Sequence, residues 1–426
     1  MGTFRWFKRR KPCKIHAYAR YPGWAMKNFS DDQIHHPANR IEAPEAAKQL
    51  QESQARQEKQ PEEEEEEERA RCEWGFSLKT VVSSSSSSTS GGGAVSPDAL
   101  GVIEFDQSEN IVATGGIARK IRIYSIKSLL PQEQQHENGN DIALMDHVNA
   151  CEFFICTPAK LSSLRWKPCS GGRVIGSGDY DGVVMEYDVE TRIPIFERDE
   201  HGGRRIWSVD YSHWSPVVGA SGSDDGTMQM WDPRHEGGGC VATVKPSVTS
   251  SCRAVCSVEF NPFGGSIIAV GCADRRVYGY DVRMITNPVF VLDGHKKTVT
   301  YVRFMDNGTL ASAGIDGCLK LWNLQDSQLL RTYKGHLNSR NFVGLSVWRN
   351  GGLLGCGSEN NQVFVYDKRW SEPIWAYGSG PAADHGFVNS VCWSQVGEDR
   401  CTLVTGGSNG VLQVFEGKRK PCIITS

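Results

Sequence analysis

From residue 100 onward the chain repeats one hydrophobic pattern: short runs alternating apolar and polar positions, separated by clusters of Gly, Asp, Asn and Ser. Alternation at period two predicts β-strands with one face buried, and the intervening clusters predict turns. The stretch Ser221-Gly222-Ser223-Asp224-Asp225-Gly226-Thr227-Met228-Gln229-Met230-Trp231-Asp232 shows the unit plainly, as two strands joined by an Asp-Gly turn and ended by a Trp-Asp pair. The aromatic that ends each copy is Tyr124, Tyr187, Trp231, Tyr280, Trp322, Tyr366 or Phe415, at steps of 63, 44, 49, 42, 44 and 49 residues. Seven copies follow from this count. Their first strands are predicted at Leu100 to Phe105, Leu161 to Trp166, Ile206 to Tyr211, Val255 to Phe260, Val299 to Phe304, Phe342 to Val347 and Val388 to Trp393. The long first step reflects an insertion around Pro131 to Asp146, polar and without alternation, which is expected to be a surface loop.

A period of this size with a terminal Trp-Asp resembles the WD-repeat family and implies an all-β, seven-bladed β-propeller over residues 100–416, followed by a tail at 417–426. In such a ring the outermost strand of each blade comes from the start of the next copy, so the seventh blade needs one from elsewhere. Trp74, Phe76 and Leu78 alternate at strand period, and residues 72–82 are predicted to be that ring-closing strand. Around it lie an N-terminal extension over 1–71, basic and then acidic, expected to be disordered or, in its Glu-rich part, transiently helical, and a flexible Ser/Gly linker over 83–99.

The chain has 426 residues with a formal net charge of -3, which argues against a general nucleic-acid binder. No apolar run is long enough to span a bilayer and no secretory signal heads the chain, so an intracellular protein without a membrane partner is expected. The block Lys8-Arg9-Arg10-Lys11-Pro12-Cys13-Lys14 reads as a nuclear-import signal, pointing to the nucleus, with the cytoplasm as the other compartment. The cysteines, among them Cys256, Cys272, Cys318, Cys356 and Cys392, fall within apolar strand patterns and read as small buried hydrophobes. None has zinc-site spacing, and neither a metal nor another cofactor is expected.

Copy five carries His295, Ser312, Asp316 and Trp322, and copy three carries His201, Ser221, Asp225 and Trp231 in the same order. Two hydrolase sites in two blades of one ring make no chemical sense, and the set reads as a structural hydrogen-bond network. No phosphate loop, zinc helix or nucleophile elbow is present, so the protein is expected not to be an enzyme. Function is instead sought where the inner strands begin, at one rim of the channel. One or two positions ahead of five consecutive inner strands stand Lys160, Arg205, Arg253, Lys297 and Arg340, with Trp207, Phe342 and Tyr180 between them. Cationic heads around an aromatic floor suit an extended peptide with acidic and apolar side chains.

Phrases such as Gly101-Val102-Ile103-Glu104-Phe105, Ala159-Lys160-Leu161-Ser162-Ser163-Leu164, Asp293-Gly294-His295-Lys296-Lys297 and Asn341-Phe342-Val343-Gly344-Leu345 are similar to the propeller of the plant constitutive-photomorphogenesis ubiquitin ligases. The N-terminal region lacks the RING and coiled coil of those ligases. A free-standing propeller of this kind resembles the plant repressors of UV-B photomorphogenesis. That resemblance implies a negative regulator that binds the UV-B photoreceptor, through its C-terminal tail and also its core, and promotes return to the inactive dimer. In the ligase family the channel mouth takes peptides with a Val-Pro core flanked by acids, and the matching positions are Lys160, Tyr180, Arg205, Trp207, Lys297 and Phe342. One departure is Ser339, where the ligase has a Glu, which relaxes the selectivity of the pocket. The resemblance also makes the ligase a competitor for the tail and a candidate partner. A second implied site is for the adaptor of cullin-4 ligases, at Trp231-Asp232-Pro233-Arg234 and its echoes Arg283 and Arg369. It carries the alternative role of a substrate receptor for light-signalling transcription factors.

Overall fold

The computed structural model describes residues 61–84, 98–130, 142–214, 217–232, 239–246, 253–378 and 386–420, with side chains from 66 onward. The expected disorder of residues 1–60, the nuclear-import block among them, and most of the Ser/Gly linker lie outside these.

Seven sheets, antiparallel but for one added edge strand, form the blades of a propeller. Blade three is typical: inner strand Ile206–Tyr211, then Gly219–Ser223, Met228–Trp231 and outer strand Cys240–Val244. Second strands are buried almost throughout, Gly219–Ser223 and Leu353–Gly357 at every residue, because they pack against neighbouring blades on both faces. The cores accordingly cross blade boundaries: Met228 and Met230 of blade three pack with Val255, Val258 and Phe260 of blade four. Inner strands are also clipped together by side chains. Ser163 Oγ accepts from Val209 N at 2.9 Å, Ser208 Oγ from Val258 N at 3.1 Å, Ser257 Oγ from Val302 N at 3.2 Å and Ser346 Oγ from Trp393 N at 3.0 Å. The inner strands have no sheet partner on the channel side, so these hydroxyls satisfy backbone donors that would otherwise be buried unpaired.

The seventh blade is assembled from both halves of the chain. Trp74–Ser83 pairs antiparallel with Leu412–Arg419, from Trp74 opposite Arg419 to Val82 opposite Leu412. Trp74 meets Trp348 edge to face at 5.0 Å, which locks the strand against blade six. Glu73, almost wholly buried, accepts from Arg369 at 2.6 Å and from Arg419 at 2.7 Å. Immediately before it Pro61–Cys72 is a helix, which takes in the whole run Glu62 to Glu68 at the acidic end of the extension.

Three sequence expectations need correction. The insertion is not wholly loop: Ala143–Asp146 is a fifth strand on the seventh sheet, parallel to Thr80–Ser83, and His147–Ala150 is a helical turn; residues 131–141 lie outside the description. The inner strand of blade six is shorter than Phe342 to Val347, running Leu345–Trp348, because Gly344 at φ +74° breaks the extended path. The last strand runs on to Arg419, past the expected boundary at 416.

Candidate functional site

The geometry of the mouth follows from one backbone bond repeated around the ring. The residue after each second strand donates to the carbonyl just ahead of its inner strand: Tyr180 N to Lys160 O at 3.0 Å, Asp224 N to Arg205 O at 2.9 Å, Ala273 N to Ala254 O at 2.9 Å, and Ile315 N to Thr298 O at 3.0 Å. Lys160 and Arg205 thus hold equivalent places, with Arg253 and Lys297 one residue earlier in their blades. Arg340 sits on the longer loop before blade six. All five cations lie on one face. Lys160, Arg253, Lys297 and Arg340 are exposed, and none has an ion-pair partner among the described residues.

Arg205 differs. Its guanidinium is sandwiched 3.8 Å from the ring centre of Tyr180 and 4.5 Å from that of Trp207. Trp207 in turn stacks on Phe342 with ring centres 4.3 Å apart and planes 3° from parallel. Tyr301 meets the far edge of Phe342 at 5.9 Å. Blades two, three, five and six all contribute, so this column of alternating charge and π-surface bridges the opening. Tyr180 is held in its turn by the Asp179 carboxylate, which accepts from Asp181 N at 3.0 Å and Val183 N at 2.8 Å. Trp207 Nε1 donates to Asp224 Oδ1 at 2.6 Å, fixing the indole plane. The result is a half-buried aromatic ledge within a cationic rim, a surface suited to apolar side chains below and carboxylates around the edge.

Sequence reasoning missed Tyr301, Asp224 and the floor of the channel. There Arg165 joins Glu104 at 2.5 Å and Asp210 at 2.9 Å, while Arg349 reaches Glu259 at 3.4 Å, around a cavity of about 140 Å³. A signal existed for three of the clips beside it, because a serine recurs at the third position of inner strands in Ser163, Ser208 and Ser257.

The two tetrads are built differently. In blade five His295 contacts Asp316 through Nδ1 at 3.1 Å and Ser312 Oγ through Nε2 at 2.8 Å, and Trp322 Nε1 donates to the same hydroxyl at 2.8 Å. In blade three His201 makes the matching bonds to Asp225 at 2.8 Å and Ser221 at 2.7 Å, yet the Trp231 indole N–H is buried without a partner among the described residues. Trp231 packs so close to Gly219 that a β-carbon there would come within 2.2 Å of its ring. The residues proposed for an adaptor do not gather into one open patch. Trp231 and Asp232 are core, Arg369 is bound to Asp367 and Glu73, and Arg234 lies outside the described residues. Arg283 is exposed beside Asp281. Arg283 and Arg369 both follow a third strand, which puts them on the face opposite the mouth.

Among the described residues no group of three or more His, Cys, Asp or Glu is arranged to hold a metal, and no helix is long and apolar enough to cross a membrane. Of the five cysteines read as buried, Cys256, Cys272, Cys356 and Cys392 are buried and Cys318 is half-buried.

Comparison with known proteins matches residues 192–232 to the WD domain, G-beta repeat, and residues 215–366 to the Nucleolar protein 10-like, N-terminal domain. The WD repeat-containing protein RUP2 of Arabidopsis thaliana is 62% identical over 332 residues, 76% of this chain and 89% of that protein. RUP1 of the same plant is 58% identical over 355 residues, 82% of this chain and 86% of that protein. The E3 ubiquitin-protein ligase COP1 of Arabidopsis thaliana is 37% identical over 329 residues, 75% of this chain but only 45% of the ligase. A propeller of this kind works by protein interaction, and the chain belongs to the RUP family of plant WD-repeat proteins.

Proposed function

We propose that the channel mouth grips the flexible C-terminal tail of a UV-B photoreceptor, a segment with a Val-Pro core between acidic residues. The protein is then a non-catalytic negative regulator of plant UV-B signalling, acting in the nucleus to return the photoreceptor to its inactive dimer. The observation that carries this reading is the column Tyr180, Arg205, Trp207, Phe342, which offers a flat ledge to Val and Pro while Lys160, Lys297 and Arg340 stand open around it for carboxylates. Rim cations of this sort speed encounter with an acidic chain, and the half-buried aromatics supply its residence time. The kinship with RUP1 and RUP2 supports the same assignment, and the likeness to COP1 supports competition for one tail.

The test is Lys297→Glu combined with Trp207→Ala. Affinity for a tail peptide should fall by more than about a hundredfold, since a rim charge and a central anchor are lost together. The thermal melt should not move, and dark recovery of photoreceptor dimers should slow to the rate without the protein. Retained affinity overturns the pocket assignment. A substrate receptor of a cullin-4 ligase is the second reading, favoured by the exposure of Arg283 on the opposite face. An Arg234→Ala, Arg283→Ala, Arg369→Ala variant that still co-purifies the adaptor removes it.

A further inference from the structure

A mouth built to attract carboxylates carries a carboxylate of its own. Glu359, in the loop after the second strand of blade six, lies against the segment that presents Arg340 and Phe342. Its Oε1 accepts from Arg340 N at 2.7 Å, Asn341 N at 2.8 Å and Asn341 Nδ2 at 3.1 Å, and its Oε2 accepts from Ser339 Oγ at 2.7 Å. Its own backbone N–H donates to Leu337 O at 2.9 Å. Three consecutive residues are thus gathered by one side chain. Phe342 follows directly, and its ring reaches across to Trp207, with Tyr301 of blade five against its edge.

We propose that Glu359 is a positioning residue for the peptide site: it does not meet the ligand but shapes the loop 339–342 so that Phe342 lies flat on Trp207 and the Arg340 side chain turns outward. The inference rests on the reading of the mouth as a peptide site. Burial raises the affinity of the Glu359 carboxyl for a proton, yet the bonds from Ser339, Arg340 and Asn341 outweigh it, so the group stays charged. That charge is adverse to an acidic ligand, and only its four accepted bonds justify it at this place. The rim thus sets a structural anion against its own cations. Asp224 repeats the device on the other ring of the pair, accepting the Trp207 indole N–H.

The two roles of the carboxylate, acceptor and charge, separate in a pair of variants. Glu359→Gln keeps an oxygen for the two backbone donors and an amide that Ser339 Oγ can accept from, while removing the charge. Glu359→Ala removes both. Full-length protein is titrated with a fluorescein-labelled peptide of Val-Pro flanked by Asp and Glu. Glu359→Ala should bind about tenfold more weakly, as expected when a preformed loop must be ordered by the ligand. Glu359→Gln should bind as tightly as wild type or about twofold more tightly, because a like charge near the ligand is gone. Ser339→Ala, which forfeits one bond of four, should lose no more than about twofold.

A second readout needs no peptide. The near-ultraviolet circular dichroism of wild type minus Trp207→Phe isolates the stacked indole, and that band should vanish in Glu359→Ala and persist in Glu359→Gln. Equal affinity and an unchanged band in Glu359→Ala overturn the inference, as does an equal loss in both variants, which makes the charge itself the ligand contact. If the wild type ignores the peptide, the reading of the mouth fails, and the indole band alone then decides whether Glu359 positions the stack.

Discussion

Cations gather at both faces of this ring and meet opposite fates. At the mouth, the side chains of Lys160, Lys297 and Arg340 are exposed and form no ion pair among the described residues, the nearby Glu359 carboxylate being taken up by the donors of loop 339–341. On the far face Arg369 and Arg419 converge on Glu73, whose side chain is 4% exposed. Residue type does not separate the two sets. What does is a buried acid delivered from 296 residues away in sequence, which turns one set into a clasp and leaves the other available to a partner. Of the arginines that look like a docking motif, Arg369 is thus consumed in holding the protein shut, whereas the cations around the aromatic ledge stay open.

The strongest attack on this contrast is to remove the clasp. Deleting residues 72–82 should lower the melting temperature by several degrees, since the Trp74 to Trp348 contact and the pairing with Leu412–Arg419 go together. Glu73→Ala alone should destabilise by about 3 kcal/mol, because two arginines, partly shielded from water, lose their shared partner. Peptide affinity at the mouth should stay within about twofold. A clasp variant that binds markedly worse would show that the two faces are coupled and would break the comparison.

Acid separates the faces in a second way. Hydrogen bonds and charges from Arg369 and Arg419, set against burial, hold the Glu73 carboxyl below its ordinary range. The clasp is therefore intact above the pH at which an unfolded glutamate titrates and is lost as pH falls through the lower folded value. His336 acts earlier. It is buried in blade six against Tyr366, its Nε2 without a partner among the described residues, and burial pushes its pKa down to about 4. An unfolded chain takes up this proton near pH 6.5 and the folded one only near 4, so stability should decline across that window by on the order of 3 kcal/mol. His147, also buried and lowered by burial, adds to the same slope. Stability from urea unfolding between pH 6.5 and 5 should flatten measurably in His336→Asn, while the loss below pH 4.5 should persist there and diminish in Glu73→Ala.

Much of this was legible in the chain. Period, alternation and the terminal aromatics located the seven blades, because a strand with one or two buried faces must carry its apolar residues at fixed parity. The cations ahead of Leu161, Ile206, Val255 and Val299 could be phased onto one rim by counting, since each inner strand starts at the same height. Counting could not reveal that Arg205 is sandwiched rather than free, because Tyr180 comes from another blade. Nor could it show that Arg369 is spent on Glu73, a pairing between the two ends of the chain. Ala143–Asp146 escaped notice because a four-residue edge strand needs no alternation when only part of one face is covered. The Trp231 indole without a partner escaped for a different reason: identical residue spacing in blades three and five says nothing of the tilt of a ring.

The weakest expected effect bears most directly on what makes a clasp. Arg283 and Asp281 form a close ion pair on the same face as Arg369, at 2.6 Å, and the Asp281 carboxyl is held well below its usual range by hydrogen bonds from Arg283. Judged by geometry alone it should matter as much as Glu73 with Arg369. The Arg283 side chain, however, is 77% exposed, so water and salt compete for both partners and the side chain gives up its freedom for little return. Arg283→Ala should leave the melting temperature within about a degree of wild type and peptide binding unchanged. A loss approaching that of Glu73→Ala would mean that pairing, not burial, decides which arginines hold the ring. The mouth cations would then be open only for want of a nearby acid, rather than because their solvent-facing positions keep them free for a partner's carboxylates.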